Sequence, residues 1–272
     1  MSHRGGSASS AFRTRAVIPA YLRSEKDLRI LGKTLSSLRE TAKCDVTVVD
    51  DGSPDEYPQM LLRLCDEYEM DCILKAENEG FSKTVNVGLR KALNEKQNAV
   101  LVNADIEFFR DKWLTIMESR EEAVVGALLL YPNGFIQHAG IFYSVIRREF
   151  DHIYRMAPGS LPAAQKERVC PVTGALQFIR LECLETVGLY DENFRMGYED
   201  VDYAHRVFES GRKCVYDPRV IAVHHESMFR GQDKNGKGEQ WFSESLLYLH
   251  KKWAGHDFST YVPTLIAELD EQ

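Results

Sequence analysis

The sequence lacks several features that would place it in familiar classes. None of its six cysteines forms a Cys-x-x-Cys pair, which argues against a zinc ribbon or a thioredoxin-type redox site. Its longest apolar run, residues 123–131, is too short to span a bilayer. The polar, basic N-terminus has no apolar segment of the kind found in secretory signals. We therefore expect a cytoplasmic chain with reduced thiols and no transmembrane segment.

The sequence also has fewer positively charged residues than negatively charged ones. The 272 residues include 34 Lys and Arg against 41 Asp and Glu, a net charge of −7. An acidic chain is a poor ligand for nucleic acid or for an anionic membrane surface, so we expect no nucleic-acid partner. Hydrophobic residues make up 44% of the chain, which is enough for the core of one large α/β domain or two small ones.

The first part of the chain alternates between strand and helix patterns. The β-rich runs lie at 16–19, 46–49, 72–74 and 99–102, and the amphipathic helices between them lie at about 28–38, 57–70 and 82–93. This rhythm predicts a Rossmann-like α/β fold, with a mostly parallel sheet and helices on both faces. Such sheets bind ligands at the carboxyl ends of their strands, where three of these four strands run into polar clusters.

The second part is less regular. Strands are predicted at 124–130, 176–179, 215–216 and 220–223, and helices at 182–187 and 201–210. Residues 144–168 are predicted to form a long irregular connection, and 229–239 a mobile glycine-rich loop. Residues 1–12 are small and polar, which predicts a disordered tail.

Asp50 and Asp51, followed by Gly52 and Ser53, come directly after the second strand. Asp, Gly and Ser are residues that turns and helix caps select, so a capping turn explains the run. The alternative is a carboxylate at the ligand edge of the sheet that accepts from a nucleobase N–H or a ribose hydroxyl. Both interpretations stay open at this point.

Gly80 precedes the third helix, which contains Lys83, Asn86 and Gly88. Glycine permits close approach of the backbone to a ligand, and a helix N-terminus favours phosphate. Lys83 would then be a phosphate contact. A plain helix cap with a solvated Lys83 is the alternative.

Asn103, Asp105 and Glu107 follow the fourth strand. Asp105 at a strand end is a candidate ligand for a divalent cation that bridges two phosphates, because hard cations prefer carboxylate oxygen. Asn103 would be a weaker, neutral partner. Asp105 with Glu107 is an alternative acid-x-acid arrangement, and helix capping is the structural explanation.

Glu199, Asp200 and Asp202 begin a helix, where the helix dipole partly explains three carboxylates. Because they precede an apolar helix face, they are also expected to border a cleft, where one would serve as a general base. Arg206 follows Asp202 by one helical turn and is expected to pair with it.

His224 and His225 follow a short apolar strand and precede the glycine-rich loop. Histidine is a common metal ligand, and a structurally satisfied histidine is the alternative.

In their order along the chain, these segments resemble the family 2 glycosyltransferases, which have a GT-A fold. The resemblance covers about residues 14–265. The motifs that carry it are V-I-P-A-Y at 17–21, D-D-G-S at 50–53, N-E-G-F at 78–81, N-V-G at 86–88, N-A-D at 103–105, Q-H-A-G at 137–140, V-T-G-A at 172–175, V-G-L-Y-D-E at 187–192, E-D-V-D at 199–202, H-H-E-S at 224–227, and K-W at 252–253 with Y-V-P at 261–263. The chain looks most like the branch with rhamnosyl- and other polysaccharide-building transferases.

The resemblance implies one GT-A domain over 13–265, with a nucleotide-binding half at 13–107 and an acceptor and catalytic half at 108–265. It implies an inverting transferase that moves a sugar from a UDP- or dTDP-sugar to an acceptor hydroxyl. The acceptor would be a glycan, a lipid-linked glycan or a protein, and the enzyme is compatible with a homo-oligomer.

The resemblance also assigns roles to single residues. Those for the nucleotide are Pro19, Tyr21, Glu25, Asp50, Asp51, Gly80, Lys83 and Asn103. The donor sugar would lie near Asp105, Gly174 and Ala175. Asp105 would ligate Mn²⁺ or Mg²⁺, with His224 or His225 as a further ligand. Asp200 would be the general base, with Glu199 beside it.

Three departures from the family pattern and two rival functions are relevant. The usual D-x-D motif is N-A-D here, Lys83 stands where small residues are common, and 144–168 matches poorly and is expected to recognise the acceptor.

A sugar nucleotidyltransferase should carry a glycine-rich, arginine-containing loop after the first strand, and this chain has P-A-Y-L-R-S at 19–24. A non-catalytic nucleotide-sugar binding module would leave Glu199 and Asp200 unexplained.

Overall fold

The computed structural model describes residues 13–226 and 237–258. The predicted tail at 1–12, Ser227, the loop at 229–236 and the motif at 261–263 lie outside the described residues.

Strands and helices alternate through the first half as expected. The strands are β1 (Thr14–Ala20), β2 (Asp45–Asp50), β3 (Asp71–Leu74), β4 (Asn98–Val102), β5 (Ile106–Glu107), β6 (Val124–Leu130), β7 (Ile136–His138), β8 (Ile141–Ser144), β9 (Glu149–His152), β10 (Arg168–Val169), β11 (Leu176–Ile179) and β12 (Cys214–His224). The helices are α1 (Glu25–Thr41), α2 (Tyr57–Glu67), α3 (Phe81–Asn94), α4 (Trp113–Glu118), α5 (Leu181–Thr186), α6 (Glu199–Glu209) and α7 (Lys237–Lys252), with a 3₁₀ turn at Pro162–Gln165.

One large sheet organises the molecule. Its strand order is β10-β12-β6-β11-β4-β1-β2-β3, with β5 beside β12 and β7 beside β6. Strands β3, β2, β1 and β4 are parallel to one another, whereas β11 runs antiparallel between β4 and β6. The antiparallel β11 begins where β4 ends, so residues before β11 lie at the same edge as the residues after β4.

Helices cover both faces of the sheet because successive residues of a strand point to opposite faces. Ile18 of β1 packs in one core with Leu31 and Leu35 of α1. Val17 packs in a second core with Val85 of α3, and Val207 of α6 belongs to that same core. The α/β expectation with helices on both faces is thereby confirmed.

Three expectations from the sequence need correction. The connection at 144–168, predicted to be irregular, contains β9, which pairs with β8 in a hairpin, and the 3₁₀ turn, and it ends at the first residue of β10. The two short strands at 215–216 and 220–223 are one strand, β12, with a shift in its pairing to β6 between Asp217 and Ile221. Residues 237–239 begin helix α7 rather than continue a loop. In each case long-range strand pairing or packing against α6 decides the conformation, which local composition does not report.

Two further findings concern the cysteines and the helices. All six cysteines are free thiols, and four of them are buried. Among the described helices, none is both long enough and apolar enough to cross a bilayer.

Candidate active site

A cleft of about 730 Å³ opens at the carboxyl ends of the central strands, between the first half of the chain and α6 and α7. Most of the residues that the sequence singled out line it. They are Pro19, Tyr21, Asp51, Gly80, Asn103, Asp105, Gly174, Ala175, Glu199, Asp200 and His224. Residues distant in sequence therefore converge here because parallel strands end at one edge of the sheet.

Four of the candidate residues do not line this cleft: Glu25, Asp50, Lys83 and His225. Glu25 begins α1, with its side chain 77% exposed beside Arg29. Lys83, in the first turn of α3, pairs with Glu79 just before the helix, at 2.8 Å, as a solvated residue would.

Asp50 and Asp51 separate into two environments. Asp50 is fully buried and accepts from the backbone N–H of Ser53 and from its hydroxyl, as a turn-forming aspartate does. Burial raises the pKa of Asp50, and the bonds from Ser53 oppose that rise. Asp51 faces the cleft, and Lys75 Nζ donates to its Oδ1 at 2.6 Å. Of the two alternatives, the capping turn describes Asp50 and the cleft carboxylate describes Asp51.

The loop before α3 is fastened to Asp51 as well. The backbone N–H groups of Glu79 and Gly80 donate to Asp51 at 2.9 and 3.0 Å, and that of Phe81 donates to the carbonyl of Arg195 at 3.1 Å. Gly80 has φ +95°, and a Cβ there would lie 2.6 Å from the Arg195 carbonyl oxygen. Glycine is required at this position for close approach of two backbone segments.

Asp105 and His224 lie next to each other in the cleft. Asp105 is 1% exposed, and its Oδ1 lies 3.0 Å from Nε2 of His224. Gln137 Oε1 lies 2.6 Å from the other ring nitrogen of His224. Asn103 borders the same space, and its buried Oδ1 has no hydrogen-bond partner among the described residues. The Asp105 carboxylate and the His224 imidazole are good ligands for a divalent ion.

His225 turns away from the cleft even though it follows His224 directly. Its Nε2 lies 2.9 Å from Oε2 of Glu107, and its backbone N–H donates to the carbonyl of Asp105. Glu107 is thus engaged with His225 and not beside Asp105 in an acid-x-acid pair. Strand alternation explains the divergence of the two histidines.

Asp200 lies at the N-terminus of α6, on the side of the cleft formed by the loop before β11. The backbone N–H of Gly174 donates to Oδ2 of Asp200 at 3.1 Å, and that of Val201 donates to Oδ1 at 2.8 Å. Desolvation raises the pKa of Asp200, and these two backbone donors limit the rise. The carbonyl of Ala175 accepts from the backbone of Asn103, which ties this loop to the end of β4.

The turn before α6 sets the direction of Glu199 and Asp200. Gly197 and Tyr198 both have left-handed backbone angles, at φ +80° and +66°. A Cβ on Gly197 would lie 2.5 Å from the ring of Phe242, so α7 packs directly on this turn. Glu199 is buried and lines the cleft beside Asp200.

Asp202 is the third carboxylate of this helix and does not line the cleft. It is fully buried, where Arg206 donates to Oδ2 at 3.0 Å, as the spacing predicted. Lys252 and Trp253 also contact Oδ1, at 2.7 and 3.0 Å. Asp202 therefore anchors the end of α7 to α6.

Sequence reasoning missed several residues that line the cleft. The β8–β9 hairpin and the segment after it contribute Asp151, His152 and Arg155, and α7 contributes Trp241 stacked against Arg195 at 4.4 Å. The poor family match at 144–168 was the only signal for the hairpin. Trp241 lay in a segment without a sequence-based assignment.

Comparison with known proteins agrees with this geometry. Residues 16–138 match the family model described as Glycosyl transferase family 2, which confirms the resemblance found in the sequence.

Three curated relatives match parts of the chain. The chain is 29% identical over 183 residues to the uncharacterized protein y4gI of Sinorhizobium fredii, covering 63% of this chain and 20% of that protein. It is 28% identical over 165 residues to the O-antigen biosynthesis protein RfbC of Myxococcus xanthus, covering 57% of this chain and 13% of that protein. It is 24% identical over 222 residues to the low-salt glycan biosynthesis hexosyltransferase Agl10 of Haloferax volcanii, covering 78% and 67%. The chain thus spans a fifth or less of the first two relatives.

Two solved structures share the fold. GalNAc-T7 with UDP, GalNAc and Mn²⁺ superposes with a TM-score of 0.68 at 16% identity, over 91% of this chain and 49% of that one. The mannosyltransferase PcManGT of Pyrobaculum calidifontis, in complex with GDP-Man and Mn²⁺, gives a TM-score of 0.58 at 14% identity, over 97% and 82%. The chain has the GT-A fold of these glycosyltransferases.

Proposed function

We propose, from the family 2 match over residues 16–138 and from the GT-A fold, that this chain is an inverting, metal-dependent glycosyltransferase. It would move a sugar from a nucleotide diphosphate sugar, such as a UDP- or dTDP-sugar, to an acceptor hydroxyl. The observation that carries the proposal is one cleft with the Asp105–His224 pair and a half-buried Asp200 in its lining.

The nucleotide would bind beside Pro19, Tyr21 and Asp51, which line the cleft after β1 and β2. Asp51 is held by Lys75 and two backbone N–H groups, so its carboxylate is fixed in direction before a ligand arrives. The fixed carboxylate would accept from the base or the ribose, and Asp50 would support the turn beneath it.

A divalent ion, Mn²⁺ or Mg²⁺, would be held by Asp105 and His224. The residues fit such an ion, since two ligands at about 2.1 Å from an octahedral centre lie about 3 Å apart, and Asp105 Oδ1 and His224 Nε2 are separated by 3.0 Å. When bound, the ion would neutralise charge on the leaving diphosphate. His225 is engaged with Glu107 and is not part of this ligand set.

Asp200 would take the proton of the acceptor hydroxyl as that oxygen attacks the anomeric carbon. Its support is a position at the cleft wall, a pKa raised by desolvation, and two backbone donors that hold the carboxylate in place. A raised pKa brings a carboxylate closer to the value of an effective general base. Gly174, whose backbone N–H is bonded to Asp200, and Ala175 after it would border the donor sugar.

The acceptor and the cellular setting belong to the same proposal. The names of RfbC and Agl10 support a role in building a polysaccharide or glycan. A cytoplasmic setting belongs to the proposal as an expectation from the sequence alone. The β8–β9 hairpin and the segment after it would contact the acceptor, because they line the cleft with Asp151 and Arg155. The domain halves expected at 13–107 and 108–265 would divide donor binding from acceptor binding.

The test is release of nucleotide from a panel of UDP-, dTDP- and GDP-sugars with Mn²⁺ or Mg²⁺, together with binding of each donor by calorimetry. Wild type is compared with Asp105→Ala, Asp200→Asn and a control, Lys83→Met, which changes a solvated residue outside the cleft. We expect slow hydrolysis of one donor that chelation abolishes. Asp105→Ala should weaken donor binding, and Asp200→Asn should keep binding and lose turnover by about 10²-fold or more.

Two outcomes would contradict the proposal. Tight donor binding with no turnover, in the presence of a broad acceptor panel, would indicate a nucleotide-sugar binding module. Turnover of Asp200→Asn at the wild-type rate would remove the assigned base.

A further inference from the structure

A second group of metal-ligating side chains lies on α6 outside the cleft. His205 and Glu209 are four residues apart and therefore share one face of the helix. His256, in the turn that follows α7, approaches the same face, with its Nε2 3.5 Å from Oε1 of Glu209. One ligand atom from each of the three residues lies within 4.8 Å of the other two.

The His205 imidazole is buried, whereas the side of the group formed by Glu209 is open to water. His205 is 2% exposed, and its ring packs against Trp253 at 3.7 Å and against His256 at 4.9 Å between centroids. Desolvation, with a smaller contribution from His256, lowers the pKa of His205 to about 4. The Glu209 side chain is 57% exposed, so water can reach the group from that side.

An ordinary surface ion pair between His256 and Glu209 is the simplest alternative. Such a pair is worth little in solvent, and it gives no reason for the buried imidazole of His205 to lie at the same point. Two imidazoles and one carboxylate on a rigid helix and a neighbouring turn are the ligand set of three-ligand zinc sites. Calcium and magnesium favour all-oxygen sets, so they fit less well.

We propose that His205, Glu209 and His256 bind a zinc ion that fastens the turn after α7 to α6. Tetrahedral ligands at about 2.1 Å from zinc lie about 3.4 Å apart, close to the 3.5 Å between His256 and Glu209. The wider separations, up to 4.8 Å, would have to close by rotation of the two more exposed side chains. Solvent supplies the fourth ligand.

The proposed ion would lie on α6 outside the cleft and would act on the attachment of α7. His205 follows Asp200 by five residues, which is about 7.5 Å along a helix axis. The turn that would be fastened also carries Trp253, which donates to the buried Asp202 at 3.0 Å. Zinc would therefore strengthen the attachment of α7, which packs on the turn before Glu199 and Asp200.

The test is zinc binding to the untagged full chain in the Asp105→Ala background, which weakens the cleft as a competing site. Equilibrium dialysis with Zn²⁺ alone should give one ion per chain. Glu209→Gln should weaken this affinity at least tenfold, and His256→Asn should remove it. His250→Asn, a histidine on α7 outside the group, is the matched control and should bind like its parent. Both ligand variants change exposed side chains, so the fold is expected to survive.

A second measurement separates this ion from zinc bound elsewhere. Zn²⁺ should raise the melting temperature of the Asp105→Ala chain and of the His250→Asn control, and should leave that of His256→Asn unchanged. Zinc affinity that is the same in Glu209→Gln, His256→Asn and their parent would overturn the proposal, as would no binding to the parent chain. Since neither readout uses donor or turnover, failure of the glycosyltransferase proposal would not affect the result.

Discussion

Gln137 Oε1 lies 2.6 Å from Nδ1 of His224. An amide oxygen only accepts, so Nδ1 carries the proton, and the lone pair of the ring is on Nε2 when the histidine is neutral. Nε2 is the atom that faces Asp105, at 3.0 Å. Gln137 therefore selects the tautomer in which His224 can serve as a metal ligand, and it fixes the plane of the ring.

Replacing Gln137 should weaken binding of the metal ion without changing binding of the nucleotide. We expect Gln137→Leu to reduce Mn²⁺ affinity by about 10- to 100-fold, because the ring loses the acceptor that orients it. Gln137→Glu keeps an oxygen acceptor and should retain most of the affinity. Electron paramagnetic resonance titration of free Mn²⁺ measures both variants, and nucleotide binding without metal serves as the control. Equal Mn²⁺ affinity in Gln137→Leu and wild type would show that Gln137 does not position His224.

The pH profile should report the environment of Asp200. Desolvation raises its pKa above the ordinary aspartate value of 3.8, and only the ionised form accepts a proton. Turnover should therefore fall as the pH is lowered through this raised pKa, at a higher pH than an ordinary aspartate would give, and should level off above it. Measurement of kcat at saturating donor and acceptor between about pH 4 and 8, which extends from the ordinary aspartate value to strongly raised ones, tests this. Donor affinity measured at each pH is the control, and a kcat that does not change across the range would contradict it.

Lys75 forms a buried ion pair with Asp51, and Lys83 forms a more exposed ion pair with Glu79. Replacing each lysine therefore compares a buried ion pair with an exposed one. Lys75 and Asp51 have side chains 11% and 9% exposed, whereas Lys83 and Glu79 are 42% and 35% exposed. Removing one partner of a buried pair leaves an uncompensated charge, so Lys75→Met should lower the free energy of unfolding by about 2–4 kcal/mol. Lys83→Met should cost less than about 1 kcal/mol. Urea unfolding of both variants measures the difference, and equal losses would show that burial does not distinguish the pairs.

Local patterns were sufficient for the first half of the fold. Short β-rich runs predicted β1 to β4, and helical periodicity predicted α1 to α3. Strands β1 and β4 are buried along their whole length, so their sequences are continuous runs and not alternating patterns. The same logic brought Asp51 and Asp105 to one edge, since parallel strands end together. The strand pattern could not distinguish Asp50 from Asp51, because their environments differ through bonds to residues outside the strand, Ser53 for Asp50 and Lys75 with the loop at 79–80 for Asp51.

The second half depended on contacts between distant segments. His224 and His225 look equivalent in sequence, but strand alternation sends one to Asp105 and the other to Glu107. The partnership of Gln137 with His224 joins residues 87 positions apart, and no local signal reports it. Likewise, α7 depends on Asp202, which pairs with Arg206 on its own helix and also holds Lys252. Only the first of those two pairs was predictable from spacing.

Packing explains why the motif residue at position 88 is a glycine. A Cβ at Gly88 in α3 would lie 2.3 Å from Cγ1 of Val17 in β1, so the helix can approach the sheet only with glycine there. Gly88→Ala should therefore lower the free energy of unfolding by at least about 1 kcal/mol, despite the better helix propensity of alanine. Gly32 in α1 is the matched control, because its nearest atom would be Leu64 Cδ1 at 3.9 Å. Gly32→Ala should raise stability by about 0.5–1 kcal/mol. Urea unfolding of the two variants should give opposite signs, and a stabilised Gly88→Ala chain would mean that α3 can move away from β1 at no cost.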